Sequence, residues 1–301
     1  MIKVVTDSVA SIPADDVRAL GIQVASLHVH HKGEEFVDAE MDVDEFYSRI
    51  GEMINDIPTS SQPSTHSLES MFSNIAENGD ELLGVFMSSR MSGTLDAAIQ
   101  AAKTVKGRFK EFRYRIIDST TNSFDEAFCV MSAIEARDAG ADLEECAQQS
   151  AQAAASSRFL FTPDSLAFLK AGGRIGNVAA LLASIIKIRP VITVSDGESS
   201  MFARVRTTQK ALASIARKLR SDANEYHLKD AVVHYIGSSE RAREWSKQAI
   251  EPIVGRPVRV LPVSPVIGCH VGPAVGVAYR CALPLPGKIS CPAGSLIHRS
   301  E

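Results

Sequence analysis

The fold of this chain follows from residues 81–102, which read ELLGVFM, SSRMSGT and LDAAIQAA in turn. The first segment is an apolar run of strand length, and the third has the composition of a helix. Because the first N–H groups of a helix lack partners and carry partial positive charge, a strand, a hydroxyl-rich loop and a helix in this order predict an anion site. A second interpretation is that Ser92 or Thr94 only caps the helix.

The same alternation of strands and helices runs through the first half of the chain. Apolar strands are predicted at residues 2–5, 82–87 and 114–117, with helical segments between them. This βαβ order predicts an α/β fold with a parallel, Rossmann-like sheet that is covered by helices on both faces. Ligands bind at the carboxyl ends of such strands, and the polar segments 6–8 and 118–119 fall at those ends.

The pattern changes after residue 157. Apolar segments at 190–194 and 201–206 flank Asp196 and Gly197, a pair that is typical of a hairpin turn. A hairpin here predicts a sheet that is at least partly antiparallel.

The chain therefore divides into two predicted domains and a tail. Residues 1–157 form the N-terminal α/β domain, residues 158–284 form a mixed α/β domain, and residues 285–301 form a loose tail. Within the second domain, we expect one helix over residues 178–186 and another from Pro273 to Cys281.

Composition and charge exclude several classes of protein. The 301 residues carry a net charge of −4 and are 45% hydrophobic, so nothing draws the whole molecule to nucleic acid. Its five cysteines form no CxxC pair, which predicts a reduced, cytoplasmic compartment. The first residues predict a strand rather than a signal peptide. Charges and a proline interrupt residues 178–194, the most apolar stretch, so we expect no stable membrane insertion.

Six motifs occur in order along the chain. They are Thr6-Asp7-Ser8, Ser60-Ser61-Gln62-Pro63-Ser64, residues 88–94, Gly172-Gly173-Arg174-Ile175, Arg204-Val205-Arg206-Thr207, and Gly268-Cys269-His270-Val271-Gly272-Pro273. Together they resemble the DegV family of bacterial fatty-acid-binding proteins, from residue 1 to about residue 282. The sequence departs from the family pattern at Ser60, where the family favours threonine, and at Ala274, where it favours glycine.

The resemblance implies that one long-chain fatty acid is buried between the two domains. By motif, the carboxylate would be bound by hydroxyls of Ser60 or Ser61, Ser92 and Thr94, and by His270. Family members of known role are the lipid-presenting subunit of a fatty acid kinase. The kinase subunit phosphorylates the bound carboxylate to an acyl phosphate for phospholipid synthesis. The resemblance therefore implies a protein without catalysis or a cofactor of its own.

By the same resemblance, Arg174 and Arg206 would lie on the face that meets the kinase.

These residue types suit a fatty acid. Each buried CH₂ contributes about 0.8 kcal/mol, or roughly 11 kcal/mol for ~16 carbons before the costs of binding. Hydroxyls and helix N–H groups bind the carboxylate without a fixed counter-charge, and a histidine can donate too. The candidate apolar walls of the tunnel, each of which could instead be ordinary core, are Phe86, Phe161, Leu166, Phe168, Leu169, Leu181, Ile185 and Ile192.

Two other kinds of site have weaker support. A serine hydrolase or acyltransferase could use Ser92 as nucleophile and His270 as base, but Ser92 is not in a G-x-S-x-G elbow and His270 has no evident acidic partner. A nucleotide or sugar-phosphate binder would suit the anion loop, but neither G-x-G-x-x-G nor a P-loop sequence is present.

A metal site is the third alternative. His28, His30 and His31 cluster on one predicted strand, and His28 and His30 share a face. No carboxylate or cysteine follows at ligand spacing, so we predict a surface strand and no metal.

Overall fold

The computed structural model describes residues 1–181 and 188–299. The strands are β1 (Ile2–Asp7), β2 (Gln23–Ala25), β3 (His28–His31), β4 (Glu34–Val37), β5 (Thr59–Ser61), β6 (Glu81–Phe86), β7 (Tyr114–Asp118), β8 (Ser157–Pro163), β9 (Arg189–Ser195), β10 (Glu198–Val205), β11 (Leu228–Ile236), β12 (Arg259–Pro262), β13 (Ala274–Cys281) and β14 (Ile297–Arg299). The α-helices are α1 (Ala14–Leu20), α2 (Val43–Arg49), α3 (Thr65–Glu77), α4 (Thr94–Arg108), α5 (Ser123–Asp138), α6 (Leu143–Ser156), α7 (Ala167–Ala171), α8 (Thr208–Tyr226), α9 (Ser239–Trp245), α10 (Glu251–Val254) and α11 (Pro265–Val271).

The first sheet has the strand order β14-β7-β6-β1-β2. Strands β7, β6, β1 and β2 are parallel, and β14 is antiparallel to β7. Because side chains alternate across a strand, Val4 packs with α5 and α6 on one face, while Val5 packs with α3 and α4 on the other. The predicted parallel sheet with helices on both faces is confirmed.

The second sheet is mixed, as predicted, and has the order β10-β9-β8-β13-β11-β12. Its pairs are antiparallel except β11 and β12, which are parallel. The turn between β9 and β10 has positive φ at Asp196 and Gly197, which matches the twist of a two-residue hairpin. One face of α8 is buried at Ala211, Ile215 and Leu219, which follow each other at four-residue spacing.

A small third sheet, in the order β4-β3-β5, is antiparallel. The residues Lys32 and Gly33 form its predicted turn, both with positive φ. This sheet pairs Ser60 of β5 with Val29 of β3, and Val29 is fully buried. The third sheet therefore holds Ser60 at a fixed register.

Residues from Pro273 to Cys281 do not form the predicted helix. They form β13, which pairs with β8 on one side and β11 on the other. A Cβ at Gly276 would lie 2.6 Å from the carbonyl oxygen of Leu160, so glycine allows the two strands to approach. Pairing on both sides, which a short apolar run does not reveal, decides the strand.

The predicted loose tail is also wrong. Residues 297–299 form β14 and occupy the edge of the first sheet beside β7. Lys288 is buried and its ammonium pairs with the carboxylate of Asp125. Edge pairing and this ion pair fix the C-terminal segment, so it belongs with the first sheet.

Two sequence predictions are not decided by the structure. The helix predicted over residues 178–186 lies in part outside the described residues, which show a 3₁₀ segment at Gly176–Leu181. The domain division at residue 157, where β8 begins, stays a prediction. Across the two described ranges, no helix combines the length and the apolar character needed to cross a membrane.

Candidate functional site

Three segments that are distant in sequence meet at one cavity. Ser60 comes from β5, Ser92 from the loop between β6 and α4, and His270 from α11. The cavity has a volume of about 600 Å³, including its open mouth, and is lined from both halves of the chain.

A hydrogen bond joins the side chains of Ser60 and His270. Oγ and Nε2 are 2.8 Å apart, while Nδ1 is buried without a partner in the described part of the chain. Burial, and then the charge of Arg174, lower the pKa of His270 to about 4. The imidazole is therefore neutral at neutral pH and has one N–H to donate.

The Gly-Gly-Arg motif packs against the same imidazole. A Cβ at Gly172 would lie 2.2 Å from Nδ1 of His270, so a side chain there would displace the ring. Arg174 donates from Nη1 to the carbonyl of Gly172 at 2.6 Å and from Nε to the carbonyl of Met91 at 3.2 Å. The motif thus connects the histidine to the hydroxyl-rich loop and brings a cation to the cavity wall.

Ser92 lies just before α4. Its Oγ is 2.8 Å from Oγ1 of Thr94 and accepts the N–H of Thr94 at 3.3 Å. The N-cap of α4 is Gly93, so neither Ser92 nor Thr94 occupies the capping position. A Cβ on Gly93 would lie 2.4 Å from Oε1 of Gln62, which shows how closely the two hydroxyl-rich loops approach.

Thr94 is fully buried and does not line the cavity. Its hydroxyl bonds that of Ser92, which does line it.

Apolar side chains form most of the cavity wall. Of the candidates predicted from sequence, Phe161 and Leu169 line it, whereas Phe86, Leu166, Phe168 and Ile192 are not among its lining residues. The predicted Ile185, and the side chain of Leu181, lie outside the described part of the structure. The lining residues are Val9, Leu27, Ser60, Met87, Met91, Ser92, Asn122, Phe159, Phe161, Leu169, Arg174, Val194, Ser199, Val266, Ile267, His270 and Val271.

Besides Thr94, the predicted residues Ser61 and Arg206 do not line this cavity. Ser61 is exposed, and its Oγ lies 2.8 Å from Nε2 of His30. Successive strand residues face opposite sides, so Ser60 and Ser61 cannot share one site. Arg206 is exposed after the end of β10.

The histidine cluster of β3 faces carboxylates. Nε2 of His28 and Nδ1 of His30 lie 3.7 Å and 4.0 Å from oxygens of Glu35. Nε2 of His31 lies 3.3 Å from Asp56. Within residues 1–181 and 188–299, no group of three or more His, Cys, Asp or Glu residues could hold a metal ion.

Sequence reasoning missed Asn122 as a lining residue. It precedes α5, and its Nδ2 lies 3.1 Å from Sδ of Met91. The sequence signal was available, because Asn122 belongs to the polar loop that follows β7. It was missed because all four residues of this loop are polar and only the fold selects one for the cavity.

The fold and the site define a class of protein: α/β proteins with two large sheets and a small third one, and with a mostly apolar cavity that ends in hydroxyls and a neutral histidine. The chain belongs to the DegV family, since the family model described as an uncharacterised protein of the DegV family matches residues 1–281. A DegV domain-containing protein from Clostridium acetobutylicum is 36% identical over 279 residues, which cover 92% of this chain and 97% of the relative. A second, from Clostridium perfringens, is 31% identical and covers 92% and 98%.

Solved structures show the same fold. A DegV family protein from Thermus thermophilus, described by its fatty acid binding, has a TM-score of 0.83 at 27% identity and covers 93% of this chain and 99% of its own. A stearic acid-binding protein from Eubacterium ventriosum has a TM-score of 0.84 at 25% identity, with coverage of 94% and 99%.

Proposed function

We propose that this protein binds one long-chain fatty acid, with its chain in the apolar cavity and its carboxylate at Ser60, Ser92 and His270. The observation that carries the proposal is the Ser60–His270 pair at the polar end of the cavity, with a buried ring nitrogen that has no partner in the described residues. The fatty acid binding of the related Thermus and Eubacterium proteins supports the same class of ligand.

The electrostatics of the site suit a carboxylate. Hydroxyls of Ser60 and Ser92 can turn to donate to it, and the neutral imidazole adds one N–H. Arg174 at the cavity wall supplies positive charge while its guanidinium also bonds two carbonyls. Hydrogen bonds to an ionised group are the strong ones, which offsets the cost of taking the carboxylate out of water.

The protein would present this carboxylate to a partner rather than transform it. We propose a kinase subunit that forms the acyl phosphate, with Arg174 and Arg206 as contacts of that partner. Both arginines are exposed, and Arg174 also lines the cavity, so a partner that bound there would meet the carboxylate end. We propose that this function is carried out in the cytoplasm, where a kinase subunit would find its nucleoside triphosphate.

The geometry favours binding over hydrolysis. The hydroxyl of Ser92 is bonded to Thr94, and the hydroxyl bonded to His270 is that of Ser60. No carboxylate contacts Nδ1 of His270 in the described structure, so the ring lacks the acidic partner that orients a catalytic base. A fluorophosphonate should therefore leave Ser92 unlabelled.

Native mass spectrometry of the purified protein tests the proposal. We expect one added mass per chain, which denaturation releases and which extraction identifies as a fatty acid. Protein stripped of ligand should take up palmitic acid at one molecule per chain. A protein that carries no lipid and takes up none would contradict the proposal.

A further inference from the structure

A second, smaller cavity adjoins the first. Phe159, Phe161, Ile267 and Val271 line both, so the two spaces meet at one shared wall. The remaining lining residues come from β11, β13 and the segment after β12: His234, Tyr235, Ile236, Val263, Ala274, Val275 and Gly276. An acyl chain that reached the second cavity from the first would pass this shared wall.

His234 places an imidazole in this apolar space. The residue is 2% exposed, and its ring centroid lies 5.9 Å from those of Phe159 and Phe124. Tyr235 also lines the cavity, but it donates its hydroxyl to Asp44 at 3.4 Å. The histidine is thus the polar side chain in this wall that has unused hydrogen-bonding capacity.

The bond that His234 makes fixes its tautomer. Nδ1 lies 3.1 Å from the carbonyl oxygen of Leu261, and a carbonyl only accepts, so Nδ1 carries the hydrogen. Burial lowers the pKa of His234 to about 4, which keeps the ring neutral. Nε2 is therefore a lone-pair acceptor, and it is buried without a partner in the described residues. Such an acceptor requires an O–H or N–H donor.

We propose that the second cavity recognises a hydroxyl group near the middle of the acyl chain, with Nε2 of His234 as its acceptor. The ligand class then includes hydroxylated long-chain fatty acids. An unsubstituted chain would leave this acceptor unpaired, whereas a hydroxyl placed on the carbons beyond the shared wall donates to it. This inference rests on the proposed function, because it assumes that the carboxylate occupies the Ser60–His270 end.

Binding of three acids to lipid-free protein tests the inference. They are stearic acid, stearic acid with one hydroxyl near the middle of the chain, and stearic acid with the hydroxyl next to the carboxyl group. In the wild type, we expect the acid with the mid-chain hydroxyl to bind more tightly than stearic acid, and the acid with the hydroxyl next to the carboxyl group to bind more weakly. His234→Leu should weaken binding of the mid-chain acid about tenfold relative to stearic acid.

Two further variants make the result specific. His234→Gln keeps a hydrogen-bonding group and should restore part of the preference, even where His234→Leu fails to fold. Tyr235→Phe removes the neighbouring hydroxyl and should leave the ratio of the two affinities unchanged.

An affinity ratio that is the same in the wild type, His234→Leu and His234→Gln would overturn this inference while the proposed function stands. A wild type that binds none of the three acids would overturn both.

Discussion

Polar side chains gather both at the ends of the parallel strands and at the cavity, but their surroundings differ. At the strand ends, both carboxylate oxygens of Asp7 accept backbone N–H groups, from Val9 and Met87, at 2.9 Å each. Ser89 donates its hydroxyl to Asp118 at 2.6 Å. These groups hold the loops in place, and the protein itself supplies their partners.

At the cavity, the polar groups keep unused capacity. Ser60 and His270 bond each other, Ser92 bonds Thr94, and one nitrogen of His270 is left without a partner in the described residues. Hydroxyls can turn from a neighbour to a ligand at little cost. The difference teaches that residue type alone does not identify a ligand site: Asp7 and Ser89 are bonded by the protein, whereas His270 at the cavity keeps a ring nitrogen without a partner in the described residues.

Removing a structural partner should have the largest effect. Lys288 is 1% exposed and its ammonium pairs with Asp125, which also accepts the Thr121 hydroxyl at 2.6 Å. Lys288→Met leaves a buried carboxylate without its counter-charge, and should lower the free energy of unfolding by about 3–5 kcal/mol. Denaturant titration measures this. The double variant with Asp125→Asn should recover part of the loss, and an unchanged free energy in Lys288→Met would contradict the comparison.

The histidines of the cavities should add an acid-sensitive contribution to stability. Burial lowers the pKa of His234 from 6.5 to about 4, so between these values the unfolded chain binds the proton more tightly. This contribution is present above pH 6.5 and is lost as the pH falls to about 4. The loss lowers the free energy of unfolding by about 3 kcal/mol. The difference in the free energy of unfolding between the wild type and His234→Gln should therefore become smaller as the pH falls from 6.5 to about 4. A difference independent of pH would show that the ring is not held neutral.

The sequence predicts the first sheet well because its signals are local. The apolar runs of β1, β6 and β7 are followed by polar loops, and each run is long enough to be read alone. β13 and β14 could not be predicted, because the first is decided by partners on both sides and the second is three residues at a sheet edge.

The site was predictable only as a set of loops. The motifs identify the segments that carry Ser60, Ser92 and His270, but not which side chains face the cavity. Ser60 and Ser61 are the same residue type in one motif, and only the pairing of β5 with β3 assigns them to opposite faces.

That pair of serines provides a matched test of the site. Ser60→Ala removes a hydroxyl that would donate to the carboxylate, and should weaken fatty acid binding by about 1.5–3 kcal/mol, or about 10- to 150-fold. Ser61→Ala removes the hydroxyl that bonds His30 on the other face, and should leave affinity unchanged. Titration of palmitic acid into lipid-free protein measures both. Equal losses in the two variants would place the carboxylate elsewhere.

Two serines of the loop at residues 88–94 sharpen the comparison further. Ser92→Ala should lower affinity by about tenfold with little change in stability, because the hydroxyl of Thr94 remains nearby. Ser89→Ala breaks the bond to Asp118, and should lower the free energy of unfolding by about 1 kcal/mol without changing affinity. Unchanged lipid affinity in Ser92→Ala, measured by the same titration, would remove Ser92 from the head-group site.

Arg206→Ala should have the smallest effect on the protein itself. Its side chain is exposed and has no ion-pair partner in the described structure, so lipid affinity and unfolding free energy should stay within about 0.5 kcal/mol of the wild type. If a kinase subunit binds this face, formation of acyl phosphate by that subunit should slow severalfold. Arg217→Ala, an exposed arginine on α8, serves as the control for loss of surface charge. Because binding and presentation are then measured separately, an unaffected kinase rate in Arg206→Ala would remove this residue from the interface while leaving the lipid site intact.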